Sequence, residues 1–280
     1  MRPSKTPTPT GGLHQLTIFI SSDIEGTAGI VDWKETELSE RVGDYFREQM
    51  SREVAAACRG ALAGGADDVL VKDAHDYARN IDPTVLPEEV KILRGWTRDP
   101  YIMMAGIDKS FAGAFFTGYH SGAGMDTNPL SHTMNLKNNY VLINGEKASE
   151  LYMNMLSASY NGVPSLMVTG DEGLCNWAAK KNPGMETVAV SHGIGGGSVS
   201  ISPKLAVKRI EDAAKRALDK DISKLVLPLP DKFDIEICFK EHINAFKGSF
   251  YPGVTRTSTN IVCFHTNDWY EVLRTLFYIL

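Results

Sequence analysis

The sequence predicts an α/β fold: a layered α/β/α arrangement with a mostly parallel or mixed central sheet and the functional site at the carboxyl ends of its strands. Three observations point there. Short apolar or β-branched runs alternate with stretches of helical periodicity, the pattern of α/β layering. The 280 residues are enough for one large domain with its own core, and no internal repeat breaks them up. Polar residues gather just after several apolar runs, where open α/β sheets collect their sites.

The elements follow in order. Residues 1–14 are polar, begin rich in Pro and Thr, lack the apolar centre of a secretory signal, and are expected to form a flexible tail. The main domain is expected over 15–280, with a smaller carboxyl-terminal subdomain over 203–280. A compact apolar run at 16–20 reads as the first strand. A helix is expected over 45–62, where Met50, Val54, Ala57 and Ala61 recur at helical spacing, and Gly64-Gly65 stops it. Strands are expected at 69–71, 90–93 and 112–117. Another at 140–143 ends at the turn dipeptide Asn144-Gly145. A helix at 148–160, a strand at 165–169, a helix at 172–181 and a strand at 188–190 come next. The glycine-rich 193–198 segment lacks phosphate-loop and dinucleotide spacing and reads as a flexible loop or a loop facing substrate. Pro203 suits an early position of a helix reaching 218, with Ser202 as its N-cap. Alternation at 233–239 predicts a half-buried strand. A strand at 259–264 and a helix at 269–280 complete the chain.

Composition narrows the function. With 29 Lys+Arg against 34 Asp+Glu the formal charge is −5, so no broad basic surface is available for nucleic acid. No apolar run approaches the roughly 18 residues of a membrane span. The four cysteines are scattered without Cys-x-x-Cys spacing, which points to reduced thiols and a cytoplasmic location. Neither Cys58 nor Cys175 lies in a nucleophile motif; both fall in expected helices as packing residues.

The strand ends carry the chemistry. The first leads into Asp23-Ile24-Glu25-Gly26, and carboxylates two apart in extended chain point the same way. Converging carboxylates repel unless a cation or proton lies between them. The second strand delivers Asp73-Ala74-His75. Its histidine is either a loop residue or a neutral imidazole ligand whose second nitrogen is held by Asp73 or a nearby carboxylate. The strand at 112–117 delivers Gly118-Tyr119-His120. Mixed His and carboxylate donors suit Zn²⁺ or Mn²⁺ better than Ca²⁺. His132, twelve residues further on, reads as a third ligand, a catalytic histidine or a surface residue. Glu150 falls at the start of a helix, where the dipole favours an acid in any case.

Taken together, Asp23 to Gly29, Asp73-Ala74-His75, Gly118-Tyr119-His120, Ser131-His132-Thr133-Met134 and Ile143-Asn144-Gly145 with Glu150 resemble the zinc-dependent D-aminopeptidases of the dipeptide-transport-associated type, peptidase family M55. The likeness runs from about residue 15 to the end. It implies two zinc ions per chain, held by Asp23, Glu25, His75, His120 and Glu150. It implies a catalytic role for His132, a short peptide as substrate, and a homo-oligomer in the form of a ten-membered ring. Asp23 is the expected bridging carboxylate, and Asp171 the acid expected to meet the free amine of the peptide. Preference for D-residues rests on the resemblance, since the ligands themselves do not distinguish the hands. Two departures stand out: Ser149 where the family usually has glycine, and Lys72 where it frequently has asparagine. A two-metal phosphoesterase is the chemical rival, although no arginine cluster lies near these motifs. A peptide- or metal-binding protein without activity is the other.

Overall fold

The computed structural model describes residues 15–280, so the tail expected over 1–14 lies outside the described residues. The chain forms β1 (Thr17–Ser22), α1 (Gly43–Ala63), β2 (Asp68–Asp73), β3 (Val90–Leu93), β4 (Gly113–Tyr119), β5 (Asn138–Ile143) and β6 (Glu146–Lys147). It continues as α2 (Glu150–Tyr160), β7 (Ser165–Asp171), α3 (Glu172–Lys181), β8 (Glu186–Ile194), β9 (Gly197–Ser200) and α4 (Pro203–Leu218). The last elements are β10 (Phe233–Phe239), α5 (His242–Gly248), β11 (Thr255–Arg256), β12 (Ile261–Thr266) and α6 (Trp269–Ile279). No helix among the described residues is long and apolar enough to cross a membrane.

The central sheet has the order β3-β2-β1-β4-β7-β8-β9. Its pairings are parallel except that of β9, which returns antiparallel on β8. Alternating side chains feed two cores, as period two requires. Ile18 and Ile20 of β1 meet the apolar faces of α1 and α4 on one side. Phe19 of β1 and Phe116 of β4 meet α2 and α3 on the other. Helices thus cover both faces, as the alternation predicts. Small residues let α1 and α4 approach closely: a Cβ on Gly60 would lie 2.3 Å from the carbonyl oxygen of Glu211.

A second, antiparallel sheet has the order β11-β12-β10-β5-β6 and shares the core formed around α2. Its strands come from 138–147 and from 233–266, while α4 packs on α1 of the first layer. The sheets therefore do not divide the chain at residue 203. The indole of Trp269 on α6 packs against Phe233 and donates to Ser157 Oγ on α2 (3.0 Å), joining the second sheet to the first. Such a buried hydrogen bond contributes about 1 kcal/mol.

Other expectations are also revised. The 193–198 segment is an ordered hairpin: Gly193 pairs with Ser198, and Gly195-Gly196 forms a two-residue turn. Of the two, only Gly195 has positive φ, at +56°, the first central position of the turn, where glycine carries no steric penalty. Ser202 does occupy the N-cap of α4, but its side chain makes no cap bond. The short β6, β9, β11 and α5 escaped the sequence reading, as elements of two to seven residues show too few periods to register.

One acid is buried beneath the loop that follows β1. Glu53 on α1 accepts from the Ala28 N–H (3.1 Å) and from Gln49 Nε2 (2.9 Å), while its second oxygen is unpartnered. Burial pushes its carboxyl up to about 7, against the pull of those donors. The folded chain therefore keeps a proton that the unfolded chain releases near 4.5. This group's contribution is most favourable below that pH, declines as pH rises toward 7, and is level above. The loss is on the order of 3 kcal/mol. Glu53→Gln is expected to flatten this component of the pH dependence, read as the change in urea midpoint between pH 5 and pH 8.

Candidate metal centre

The centre sits where the sheet reverses its order, between β1 and β4, the switch point at which such sheets bind ligands. Ser22 pairs with both Asp73 and Thr117, so β1 and β2 end level while β4 runs two residues further, to Tyr119. Backbone bonds carry the contact past the strands. The N–H of Asp23 donates to Thr117 O (2.8 Å), that of Ala74 to Ser22 O (2.9 Å), and that of Gly26 to Gly118 O (2.8 Å). The loops press main chain to main chain here. A Cβ on Gly26 would lie 1.8 Å from Tyr119 O, and Gly118 has φ +68° with Asp23 O only 2.2 Å from its ideal Cβ. No other residue type fits either place without moving the loops.

Asp23 and Glu25 converge, but the strand pleat is not the reason. β1 ends at Ser22, and a turn closed by Thr27 N to Ile24 O (2.9 Å) brings the carboxylates round. Asp23 Oδ1 lies 3.2 Å from His75 Nδ1, and Asp23 Oδ2 lies 3.4 Å from His120 Nε2. Glu25 Oε2 is 3.1 Å from His75 Nδ1. Glu150, the first residue of α2, stands 3.5 Å from His120 Nε2 and accepts the N–H of Met134 (2.6 Å). His132 Nε2 is 3.5 Å from Glu150 Oε1 and 3.8 Å from Glu25 Oε1. Its ring stacks on His120 at 4.3 Å and meets Trp33 edge-on at 5.1 Å. The structure thus joins Asp23, Glu25, His75, His120, His132 and Glu150 in one cluster, all but His132 buried.

Each histidine has its outward nitrogen on a main-chain carbonyl. His75 Nε2 faces Thr36 O (3.2 Å), His120 Nδ1 faces Ser121 O (2.9 Å), and His132 Nδ1 faces Leu130 O (2.9 Å). Such a carbonyl fixes the neutral tautomer and leaves the inward nitrogen with a free lone pair, the arrangement of metal-ligating imidazoles. Donors to match are present. Asp23 Oδ2, Glu25 Oε2 and His120 Nε2 are buried without hydrogen-bond partners, and all three point into the cluster. Two like charges 4 Å apart repel by about 4 kcal/mol at an effective dielectric of 20, so three buried carboxylates require cations. The donor set fits a divalent metal of the zinc type.

Electrostatics agree. Burial, then Glu25, pushes Asp23 up to about 6. Burial disfavours charge on His75 and His120, yet the carboxylates prevail and hold both imidazoliums well above the usual histidine range. Burial would also raise Glu25, but His75 and the other histidines keep it well below the ordinary glutamate range. Without metal His75 and His120 therefore carry compensating protons.

Other sequence-derived residues have different places. Asp171 is fully buried at the end of β7 and does not line the cleft. Its carboxylate accepts the N–H and hydroxyl of Ser121 (both 2.7 Å) and caps α3 through Leu174 N (2.9 Å), so it braces the residue after His120. Asp73 does not hold His75. It accepts from Asn80 and from Ile81 N, and Asn80 Nδ2 in turn donates to His75 O (2.7 Å). Ser149 caps α2, accepting from Tyr152 N (3.2 Å) at φ −80°, a conformation that needs no glycine.

Residues the sequence reading missed complete the surroundings. A cleft of about 660 Å³ opens on the cluster, walled in part by Trp33, Trp96, Ile102, Met103 and Met134. Trp33 and Thr36 are set by a short 3₁₀ turn whose capping box joins Asp32 and Glu35. The Asp-x-x-Glu spacing was the available signal. Trp96 and Ile102 had none.

Comparison with known proteins fits this geometry. A family model described as D-aminopeptidase, Peptidase M55, matches residues 16–277. The chain belongs to the M55 peptidase family. A D-aminopeptidase of Bacillus subtilis (strain 168) is 30% identical over 264 residues, which cover 93% of this chain and 95% of the relative. A solved structure, the Zn-dependent D-aminopeptidase DppA from Bacillus subtilis, described as a self-compartmentalizing protease, superposes with a TM-score of 0.88 at 29% identity. It covers 94% of this chain and 96% of that one.

Two outcomes follow for this M55 chain. Zinc uptake must expel the protons that His75 and His120 hold, so affinity should weaken as pH falls from 8 to 6. Titration calorimetry in buffers of differing ionisation enthalpy should register proton release, and a pH-independent affinity would count against the cluster as the zinc site. Gly26→Ala should cut zinc content at least severalfold, measured by elemental analysis, because its Cβ displaces the loop bearing Asp23 and Glu25.

Proposed function

We propose that the chain is a zinc-dependent aminopeptidase with two metal ions per chain that releases the N-terminal residue of short peptides, including peptides of D-alanine type. The observation that carries this reading is the double engagement of Asp23. Its two oxygens face different histidines, so the carboxylate spans two donor groups, Asp23–Glu25–His75 and Asp23–His120–Glu150. Two metal sites sharing Asp23 account for every orphaned atom in the cluster.

Asp23, Glu25, His75, His120 and Glu150 would hold the ions. Bound zinc supplies Lewis acidity and brings the pKa of a water down toward about 7. The remaining work falls to the chain. Hydrolysis adds a water oxygen to the carbonyl carbon, breaks the C–N bond and delivers a proton to the departing amine. His132 suits the proton transfer: its Nε2 faces the cluster, its Nδ1 is tied to Leu130 O, and it is more exposed than the ligands. Stacking on His120 and the edge contact with Trp33 hold the ring in place. The cleft's volume is that of sites for small molecules and short peptides.

Self-association into a ring is part of the proposal. It is supported by the self-compartmentalizing relative and by large exposed apolar side chains such as Ile194, Phe246, Phe250 and Tyr278. The four free cysteines are in keeping with a reducing cytoplasm.

The test pairs activity with metal content. Zinc-loaded protein should release product from a D-alanine p-nitroanilide and from short peptides, and a chelator should abolish it. Activity on a phosphodiester alone would overturn the reading. Glu25→Ala should lose zinc. His132→Ala should keep both ions while kcat falls about a hundredfold or more; loss of zinc there would make His132 a ligand. Light scattering should give a mass several times 30.7 kDa, and a monomer would refute assembly.

A further inference from the structure

The wall of the cleft beside His75 is built with more care than the metal ligands require. Trp96 lines the cleft. Its indole N–H donates to the carbonyl of Asp76, in the loop just after His75. Its ring face is covered by Lys72 Nζ, 4.6 Å from the ring centroid. Lys72 has no exposed surface. The same ammonium donates to Asp73 O and to Gly95 O (both 2.8 Å), so one buried cation ties the end of β2 to the residue preceding Trp96. A backbone bond from Gly95 N to Ala78 O (2.7 Å) closes the clamp. Asp76 and Ala78 both adopt positive φ, at +43° and +53°, a strained conformation that persists where surrounding contacts over-determine it. Burial draws the ammonium of Lys72 down to about 8, against the pull of Asp73 and Asp99, so it is still a cation at neutral pH.

A lysine buried under an indole has no part in holding metal. Its ammonium instead joins the end of β2, through Asp73 O, to the residue before Trp96, through Gly95 O. A desolvated cation over a tryptophan face is attracted by the negative face of the ring, which favours one ring position over the alternatives. Ile102 and Met103 line the same cleft, and Ile102 itself has φ +52°, rare for a β-branched residue. The result is an apolar wall of fixed shape beside the cluster.

We propose that Trp96 is a specificity-determining residue that limits the size of the substrate side chain, and that Lys72 is its positioning residue. The inference rests on the peptidase reading and deepens it. The ligand is an apolar side chain of a short peptide. The clamp sets how large that side chain can be, since a wall that cannot swing away excludes what a mobile one would admit.

The experiment compares kcat/KM for peptides with alanine-sized and phenylalanine-sized side chains, on zinc-loaded full-length protein with metal content measured for every variant. Trp96→Ala should raise the ratio of large to small substrate about tenfold, mainly through KM, with zinc content unchanged. Lys72→Met should move the ratio the same way by about threefold, and should add nothing further in the Trp96→Ala background. A role for Lys72 in general stability would instead give independent, additive effects. Trp96→Phe, which keeps an apolar ring, guards against misfolding of the alanine variant and should shift the ratio less. An unchanged ratio in both Trp96 variants overturns the wall, and additive effects overturn the clamp. If wild-type protein hydrolyses none of the peptides, the peptidase reading fails and takes this inference with it. If wild type is active and the ratio does not move, only the inference fails.

Discussion

Three buried carboxylates brought within a few ångströms of one another are the constraint around which this molecule is organised. Asp23, Glu25 and Glu150 arrive from two separate parts of the chain and repel at close range. Only a rigid frame can hold them, and the frame is the parallel pairing of β1 with β2 and β4. Ser22 is in register with Asp73 and Thr117, β4 continues to Tyr119, and main-chain bonds hold the loop after β1 against that extension. Gly26 and Gly118 are the cost of that closeness, positions where a side chain has no room. Protons on His75 and His120 offset that charge, and divalent ions in their place would do the same.

The layers divide the labour. α1 and α4 cover one face of the central sheet and take no part in the cluster. The other face receives α2, which delivers Glu150 at its first turn, where the helix dipole already favours an acid. The antiparallel sheet presses on α2 from behind through Trp269 and Ser157. A distant packing contact thereby bears on the angle at which Glu150 enters the cluster. Asp171 works in the same indirect way, capping α3 with one end of its carboxylate while bracing Ser121, the neighbour of His120.

Much of this was legible in the sequence, for physical reasons. Long helices such as α1 and α4 announce themselves by period, and the strands of a doubly covered sheet by continuous apolar runs. Asp23, Glu25, His75 and His120 of the cluster were legible because they follow those runs closely. Three things were not. The hairpin at Gly195-Gly196 was hidden because a glycine cluster also describes a loop. The actual place of Asp171 was hidden because a strand-end acid can cap the next helix or meet a ligand, and periodicity does not distinguish the two. Trp96 was hidden because its place depends on Lys72, 24 positions earlier, and on strained turns that no local pattern encodes.

The carbonyls of Thr36, Ser121 and Leu130 carry one further implication. Every residue type has a main-chain carbonyl, so the groups that set the histidine tautomers are independent of the side chains at 36, 121 and 130. Many substitutions at those places would leave the outer layer of the centre chemically intact, provided the loops kept their path. The cluster side chains depend on residue identity; their supports depend only on backbone shape. The electronic character of this centre is thereby inherited through the course of the backbone, and distant members of such a lineage could share it while sharing little of the sequence around it.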